Sequence, residues 1–229
     1  GGLIVQNAIR AEIKRLARRA FLKAERLSTK EQKYRRQFEK RTGLGAGLPS
    51  MRPKTALHRH FDPKYCARNA NFLAKTIWHK VINETYEPIP AIKYEIPKPD
   101  GSRRGIMAFA IPDAALANVV LRRSRQRNIK RLSPSSFAYH PDKNVFDAII
   151  ALQEFESKGK MFAVQIDFEK YFDNIPRWYL IRKISDERSI SLTPHERYIF
   201  KAFLVHRYAM VDDYTVNKFK KRVNGTPQG

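Results

Sequence analysis

Apolar residues recur every three or four positions along several parts of the chain, which is the spacing of amphipathic helices. Residues 92–96 instead alternate between apolar and polar, and a turn signal follows at 99–101. The sequence therefore predicts an α+β fold that contains a β-hairpin at residues 91–111. The predicted helices cover residues 3–27, 30–41, 62–83, 112–132, 142–157, 178–184 and 194–203.

The segments between these helices carry the remaining signals. Ser28 and Thr29 separate the first two predicted helices, and the glycine-rich residues 43–49 read as a linker. Residues 161–167 are mostly apolar and predict a short strand that ends in a carboxylate. Residues 204–224 predict a strand, a turn and a second strand.

Positive charge dominates the composition, with 45 Lys and Arg against 22 Asp and Glu and a formal net charge of +23. Such a polycation indicates a polyanionic partner, nucleic acid first and an anionic membrane surface second. Residues 1–60 hold sixteen Lys and Arg and four Glu, so this basic helical N-terminal extension is predicted to bind RNA. A solvated helix face is the alternative. The residues predicted to contact nucleic acid are Arg10, Lys14 and Arg18 in the extension and Arg123, Arg127 and Arg131 in the helix at 112–132.

Cellular location is constrained by two simple features. Cys66 is the single cysteine, so no internal disulfide can form, which suits a reducing compartment. Apolar residues make up 42% of the chain, enough for a core, but no apolar run approaches the 18 residues of a membrane span. We therefore expect a cytoplasmic protein without a membrane partner.

Two segments carry candidate chemistry. The predicted strand at 161–167 delivers Asp167 to its end, where a carboxylate is well placed to hold Mg²⁺, because this ion prefers oxygen ligands. An ordinary strand-end Asp is the alternative. The final residues, 224–229, predict a stiff turn that fixes the Gln228 amide and exposes backbone N–H groups, which suits contact with a sugar or a base.

Blocks in this order resemble the reverse transcriptase family. Residues 94–104, Tyr-Glu-Ile-Pro-Lys-Pro-Asp-Gly-Ser-Arg-Arg, resemble the fingers hairpin, and residues 111–113 and 136–149 resemble the next two blocks. Residues 166–175 resemble the first catalytic motif of the palm, and residues 225–229 resemble the Gly-x-Pro-Gln-Gly motif. The Ser-Phe-Ala-Tyr start of the third block is most similar to bacterial retron-like, abortive-infection and unclassified defence enzymes, with group II intron maturases as neighbours.

This resemblance implies roles for individual residues. Asp167 would be the first of the carboxylates that hold two Mg²⁺ ions, and the carbonyl of Phe168 would be a further ligand. Lys98 and Arg104 match the fingers pair that grips the incoming triphosphate, and their permanent charge suits phosphate oxygens. Arg103 would face away from the nucleotide.

Three further positions follow from the same resemblance. Phe172 matches the aromatic gate that excludes a ribose 2′-OH, and Gln228 matches a residue that contacts the bound nucleotide. Asp173 is not a metal ligand in the family and is expected to cap or tether the following helix.

The implied fold is a right-hand polymerase fragment of the α+β class. The N-terminal extension would cover residues 1–60, the fingers residues 61–160, and the first part of the palm residues 161–229. The sequence ends within the Pro-Gln-Gly motif, so the second catalytic motif and the thumb are expected on the remainder of the polymerase. The chain alone is therefore expected to be inactive.

The implied function is RNA-directed DNA synthesis in bacterial anti-phage defence. Its expected partners are an RNA template or a dedicated noncoding RNA, deoxynucleoside triphosphates, Mg²⁺ and the DNA product. The alternatives are an untemplated or protein-primed DNA polymerase, a catalytically silent nucleic-acid-binding scaffold, and a group II intron maturase.

Two other motifs are rejected from the sequence. Asp212 and Asp213 follow Tyr208 with one residue too many for a Tyr-x-Asp-Asp motif, and they precede rather than follow residues 225–229. They are interpreted as a surface turn. His58, His60 and Cys66 lie close together but match no common zinc spacing.

Overall fold

The computed structural model describes residues 2–45, 57–156, 158–160 and 162–227. Helices and a small mixed sheet make up an α+β fold, as the sequence predicts. The helices are α1 Gly2–Thr42, α2 Pro63–Arg68, α3 Ala70–Ile82, α4 Ile111–Asn128, α5 Val145–Glu156, α6 Tyr171–Asn174, α7 Arg177–Ser185, α8 Pro194–Leu204 and α9 Val211–Thr215. The strands are β1 Ala91–Pro97, β2 Arg103–Ala108, β3 Arg207–Ala209 and β4 Lys220–Lys221.

The first helix is continuous where the sequence predicts two. Thr29 does not cap a new helix. Its hydroxyl donates a hydrogen bond to the carbonyl of Glu25 at 3.0 Å, so the hydroxyl has a partner within an unbroken helix. The helix ends where Gly43 adopts a left-handed conformation, with φ of 67°. Of the predicted linker, residues 46–49 lie outside the described part of the chain.

The two halves of α1 lie in different environments. Ile9, Ile13 and Ala17 are buried and belong to the main hydrophobic core together with residues of α3, α4 and α8. From Phe21 to Thr42 the helix is exposed, apart from half-buried Arg35 and Phe38. The predicted N-terminal extension therefore begins as a core element and continues as a solvent-exposed helix.

A buried carboxylate holds α1 against α4. Glu12 is 3% exposed and accepts hydrogen bonds from Arg15 (Nε, 3.0 Å), Asn118 (3.0 Å) and Arg122 (3.1 Å). The bond from Arg15 leads the contacts that hold the Glu12 pKa at about 2, well below its usual value, although burial opposes them. The charge-assisted bonds offset the cost of burying this group.

A second buried carboxylate joins the start of α4 to the segment before β1. Asp113 accepts from the hydroxyl of Tyr86 at 2.7 Å and from the amide of Ile89 at 3.1 Å. Burial raises the Asp113 pKa to about 7, and the two hydrogen bonds oppose this rise. The contact fixes where β1 begins relative to the helical core.

The strands form one sheet in the order β2-β1-β3-β4. β1 pairs antiparallel with β2 and parallel with β3, and β3 pairs antiparallel with β4. The predicted hairpin at 91–111 is therefore confirmed. The two strands predicted within 204–224 are confirmed as β3 and β4, but the short helix α9 lies between them where the sequence predicts a turn. Asp212 and Asp213 lie in the first turn of α9.

The strand predicted at residues 161–167 is wrong for the described residues, since 162–167 have no regular structure. Phe162, Val164 and Ile166 are 100%, 82% and 77% exposed. A strand is stabilised by hydrogen bonds to a neighbouring strand, and no strand among the described residues pairs with this segment. Helix α5, which precedes it in the chain, buries no residue either, so residues 145–156 and 162–168 present an apolar surface to solvent.

Local capping signals explain several helix boundaries. The Asp62 side chain accepts from the amide of Lys64 at 2.9 Å and starts α2, and Thr193 and Glu196 form a capping box at the start of α8. The single helix predicted at 62–83 is interrupted at Asn69, which separates α2 from α3. Within the described residues, no helix has the length and apolar character needed to cross a membrane.

Candidate functional site

A tight turn holds Lys98 at the tip of the hairpin. The amide of Gly101 donates to the carbonyl of Lys98 at 3.0 Å, and the amide of Lys98 donates to Ser102 at 2.8 Å. Gly101 has φ of 80°, a left-handed conformation that glycine adopts without a steric penalty. Arg104 lies opposite Ile96 in the ladder, so it follows the tip directly on strand β2.

Arg103 and Arg104 project from opposite faces of β2, because successive residues of a strand alternate. Arg103 forms an ion pair with Glu95 of β1 at 3.2 Å. Arg103 was expected to face away from the nucleotide, but it contributes to the wall of the cleft described below.

The segment that carries Asp167 turns sharply after it. One carboxylate oxygen of Asp167 accepts from the amide of Phe168 at 2.9 Å, and Lys170 then adopts a left-handed conformation with φ of 48°. Helix α6 follows at once. The rings of Phe168 and Tyr171 are 5.5 Å apart, and those of Tyr171 and Phe172 are 5.4 Å apart, so this turn is lined by aromatic rings in mutual contact.

Residues 222–226, here called the Gly225 segment, pack directly on residues 167–172, here called the aromatic turn. The amide of Gly225 donates to the carbonyl of Ile175 at 2.8 Å, and the amide of Thr226 donates to Phe172 at 2.7 Å. Gly225 has φ of 71°, and a Cβ there would overlap the carbonyl oxygen of Phe172. Only glycine fits this close approach. Gln228 lies outside the described residues.

Asp173 has an ionic partner in the same contact. Its carboxylate accepts from Arg222 at 3.1 Å, and Arg222 also donates to the carbonyl of Thr226 at 2.7 Å. The expectation that Asp173 caps or tethers the following helix is therefore wrong, because its carboxylate joins α6 to the Gly225 segment instead. Arg177 in α7 adds a bond to the carbonyl of Arg222.

These separate segments meet around one cleft of about 700 Å³. Lys98 and Arg104 line it from the hairpin, and Asp167, Phe168 and Phe172 line it from the aromatic turn. The five nucleotide-site and metal-site residues that the sequence predicted within the described chain are thus neighbours of a single space. The other lining residues are Ser102, Arg103, Gly105, Tyr139, Lys170, Tyr171 and Asp173.

Two of these lining residues were not assigned a role from the sequence. Tyr139 lies within residues 136–149, a block that was used only for the family resemblance and not to assign a role to a single residue. Lys170 lies only three residues after Asp167, and a basic residue in a turn carries no specific signal by itself. Their presence adds an exposed aromatic ring and a further cation to the cleft.

The oxygen atoms of the cleft suit Mg²⁺ only in part. Asp167 and Phe168 both line the cleft, so the expected ligands are one carboxylate and one backbone carbonyl, while the carboxylate of Asp173 is engaged by Arg222. Mg²⁺ commonly binds one or two carboxylates together with substrate phosphates and water, so this set fits an ion shared with a triphosphate. Among the described residues, no group of three or more His, Cys, Asp or Glu side chains could hold a metal on its own.

The residues predicted to contact nucleic acid differ in their surroundings. Arg10, Lys14 and Arg18 are exposed along α1. In α4 and the turn after it, Arg127 forms an ion pair with the buried Glu196, and Arg131 donates to the carbonyls of Glu187 and Arg188 at 2.7 and 2.9 Å. These last two arginines join α4 to the region around α8, while Arg123 is half-buried.

His58, His60 and Cys66 have local structural partners. The Nδ1 atom of His58 accepts from the amide of His60 at 3.0 Å, and the thiol of Cys66 donates to the carbonyl of His60 at 3.3 Å. Burial raises the Cys66 pKa to about 12, which keeps the thiol protonated and unreactive at neutral pH.

No protein-family model matches the chain, and a search of curated proteins finds no match either.

Proposed function

We propose that this chain forms the fingers and the first part of the palm of a reverse transcriptase. The observation that carries the proposal is the single cleft to which Lys98 and Arg104 contribute from one segment and Asp167, Phe168 and Phe172 from another, more than sixty residues later. Residues far apart in the sequence line one space in the combination that nucleotide chemistry requires, with cations for phosphates, an oxygen ligand set and an aromatic ring.

In this proposal the chain's own residues bind and orient the nucleotide. Lys98 and Arg104 bind the triphosphate oxygens, and the turn at 98–102 holds Lys98 in place. Phe172 packs beneath the sugar and excludes a 2′-hydroxyl. Asp167 and the Phe168 carbonyl would hold Mg²⁺, which supplies charge stabilisation at the reacting phosphate when bound. A complete catalytic centre requires further carboxylates from the remainder of the polymerase.

The docked Gly225 segment supports the same proposal. Its two backbone hydrogen bonds and the Asp173–Arg222 ion pair bind it to the aromatic turn and to helix α6. A gate residue must keep its position to discriminate between sugars that differ by one hydroxyl, because small displacements weaken such discrimination. The close contact of Gly225 with the backbone of Phe172 provides this rigidity.

Binding of a deoxynucleoside triphosphate by the 229-residue chain tests the proposal. Calorimetry with dTTP and Mg²⁺ should show that Lys98→Gln and Arg104→Gln each weaken binding about 10-fold or more, since a hydrogen bond to a charged group contributes roughly 1.5–3 kcal/mol. Lys93→Gln is the matched control, because Lys93 lies on β1 outside the cleft and its ammonium group lies over the Tyr208 ring. Equal affinities for all variants would refute the proposal.

The sugar gate has its own test. Phe172→Ala should reduce the preference for dTTP over UTP measured in the same way, while Phe168→Ala should leave the preference in place because Phe168 is proposed to act through its backbone carbonyl. In a polymerase completed with its second catalytic motif, Asp167→Asn should abolish primer extension. Retained extension would favour a centre elsewhere, and sequencing products made with and without template separates templated from untemplated synthesis.

The exposed half of α1 supports a proposed RNA partner, either the template or a dedicated noncoding RNA. Residues 21–42 carry eight Lys and Arg against three Glu, and they are largely exposed. Replacing Lys30, Lys33 and Lys40 by Gln in the full chain should weaken RNA binding and lower the slope of log affinity against log salt by about 2, since each lost phosphate contact contributes about 0.7. An unchanged slope would contradict RNA binding by this surface.

A further inference from the structure

Tyr139 is a large aromatic side chain that the structure leaves almost entirely in water. It is 88% exposed, and its residue lines the cleft that also contains Lys98, Arg104 and Asp167. A ring that packs on nothing contributes little to stability. Its exposure at the wall of a cleft, rather than on a convex surface, indicates a contact with whatever the cleft binds.

The backbone of Tyr139 is held in an uncommon conformation. Its φ of 57° lies in the left-handed region, which bulky side chains rarely adopt. The guanidinium of Arg125, in the last turn of α4, donates to the carbonyl of Tyr139 at 2.6 Å and fixes this conformation from the helical core. The next residues are also bonded locally, with the amide of Asp142 donating to His140 at 3.1 Å.

The ring is therefore positioned by its backbone and not by side-chain packing. Strained conformations of this kind persist where the surrounding structure enforces them, and they concentrate at functional positions. A residue whose only task was to close the loop would be better served by Gly or Asn, which tolerate a positive φ.

The chemistry around Tyr139 matches one class of ligand. Lys98, Arg104 and Lys170 bring positive charge to the cleft, and Phe168 and Tyr171 bring further rings. Cations beside exposed aromatic faces are the pattern by which proteins bind nucleotides and single strands, with phosphates on the cations and bases on the rings. Every base has an apolar face, so stacking of this kind tolerates any sequence.

We propose that Tyr139 is a stacking platform for an unpaired nucleobase in this cleft, an inference that rests on the proposed function for the class of ligand. The base belongs either to a single-stranded segment or to a free nucleotide, and both present the same flat face. Tyr139 acts here as a binding and positioning residue, separate from the proposed sugar gate at Phe172.

The test compares ligands with and without bases, and it omits Mg²⁺. Fluorescence anisotropy measures binding of the full chain to a single-stranded octanucleotide and to an abasic strand of the same length and charge. Tyr139→Asn removes the ring but tolerates the positive φ, Tyr139→Phe keeps the ring, and Phe72→Ala removes an exposed ring on α3 outside the cleft. Competition with dATP and with tripolyphosphate repeats the comparison for a free nucleotide.

Stacking predicts a specific pattern of losses. Tyr139→Asn should weaken binding of the base-bearing strand, of dATP, or of both, by about 5- to 150-fold, and should leave the abasic strand and tripolyphosphate unchanged. Loss with the strand alone assigns the base to single-stranded nucleic acid, and loss with dATP alone assigns it to the nucleotide. Tyr139→Phe and Phe72→Ala should bind like the parent chain.

Two results would overturn the inference. One is equal affinity of the parent chain and Tyr139→Asn for every ligand, and the other is an equal loss for base-bearing and base-free ligands. If Tyr139→Asn does not fold, quenching of a 2-aminopurine strand by the parent chain and by Tyr139→Leu replaces it, and equal quenching by both contradicts stacking. Because no metal or extension reaction is involved, failure of the polymerase proposal would not produce these results.

Discussion

Glu12→Gln isolates the contribution of the buried charge that holds α1 to α4. The carboxylate is 3% exposed, whereas Arg15 and Arg122 are 52% and 57% exposed in their side chains. Glutamine keeps the size of the side chain and one acceptor oxygen but removes the negative charge. The two arginines can hydrate once their partner is neutral, so the variant tests the charge itself rather than leaving two buried cations unpaired.

The size of the effect follows from the pKa of Glu12. Its pKa falls from 4.5 to about 2 on folding, and a shift of one pKa unit corresponds to about 1.4 kcal/mol. The charge therefore contributes about 3 kcal/mol to the free energy of unfolding at neutral pH. Exposure of the two arginines reduces this, and we expect a loss of about 2–3 kcal/mol. A carboxylate whose pKa is lowered in the folded state stabilises that state fully at pH values above its unfolded pKa. This contribution is lost as the pH falls towards the folded pKa. At pH 3 less than half of the difference should remain.

Urea denaturation followed by circular dichroism at pH 7, 5, 4 and 3 measures this difference. Glu31→Gln is the matched control on the same helix, because the side chains of the Glu31–Arg35 pair, 3.2 Å apart, are 50% and 43% exposed, and the pair should contribute less than about 0.5 kcal/mol. If Glu12→Gln costs no more than Glu31→Gln at pH 7, the buried charge does not stabilise the fold. A cost of Glu12→Gln that stays constant between pH 5 and pH 3 would contradict the low Glu12 pKa.

Three further changes test other parts of the structure. Gly225→Ala should lower the free energy of unfolding by at least about 1–2 kcal/mol in urea denaturation, because it adds a left-handed alanine and a backbone overlap, and an unchanged midpoint would contradict the close approach. Tyr86→Phe removes a buried donor to Asp113 and should cost about 1–3 kcal/mol. Its cost should be larger at pH 8 than at pH 5, because the lost hydrogen bond favoured the ionised form of Asp113, whose pKa is about 7, and an equal cost at both would argue against that ionisation. The apolar surface of residues 145–156 and 162–168 should cause self-association, so Phe155→Lys should increase the monomer fraction in size-exclusion chromatography; an already monomeric parent chain would disprove it.

Much of the local structure could be predicted because its stabilising contacts are close in sequence. The hairpin follows from alternation and a turn in which Gly101 and Ser102 bond back to Lys98. The start of α2 follows from Asp62 before Pro63, and α8 starts at a capping box whose two residues are three positions apart. In each case the groups that satisfy the backbone lie within a few residues, so a short pattern contains the information.

The two wrong predictions, a helix break at Thr29 and a strand at 161–167, concern structure that depends on contacts beyond the local sequence. Thr29 is compatible both with a helix start and with a helix interior, and only the continuous hydrogen bonding of α1 decides between them. Residues 161–167 have the composition of a strand, but a strand also needs a partner at hydrogen-bonding distance, and 162–167 have none among the described residues. The apolar composition of residues 162–167 therefore predicted a strand that the structure does not contain.

Periodicity and composition predict the α+β class, most helix and strand positions and the excess of positive charge, and the family resemblance implies the five candidate residues of the cleft. The packing of the chain adds that these five residues share one cleft, that Tyr139 joins them as an exposed ring, and that Asp173 is bound by Arg222. The same holds for the division of α1 into a buried and an exposed half. The physical reason is that local hydrogen bonds and side-chain periodicity are encoded over a few residues, whereas burial and convergence depend on which distant segments pack together.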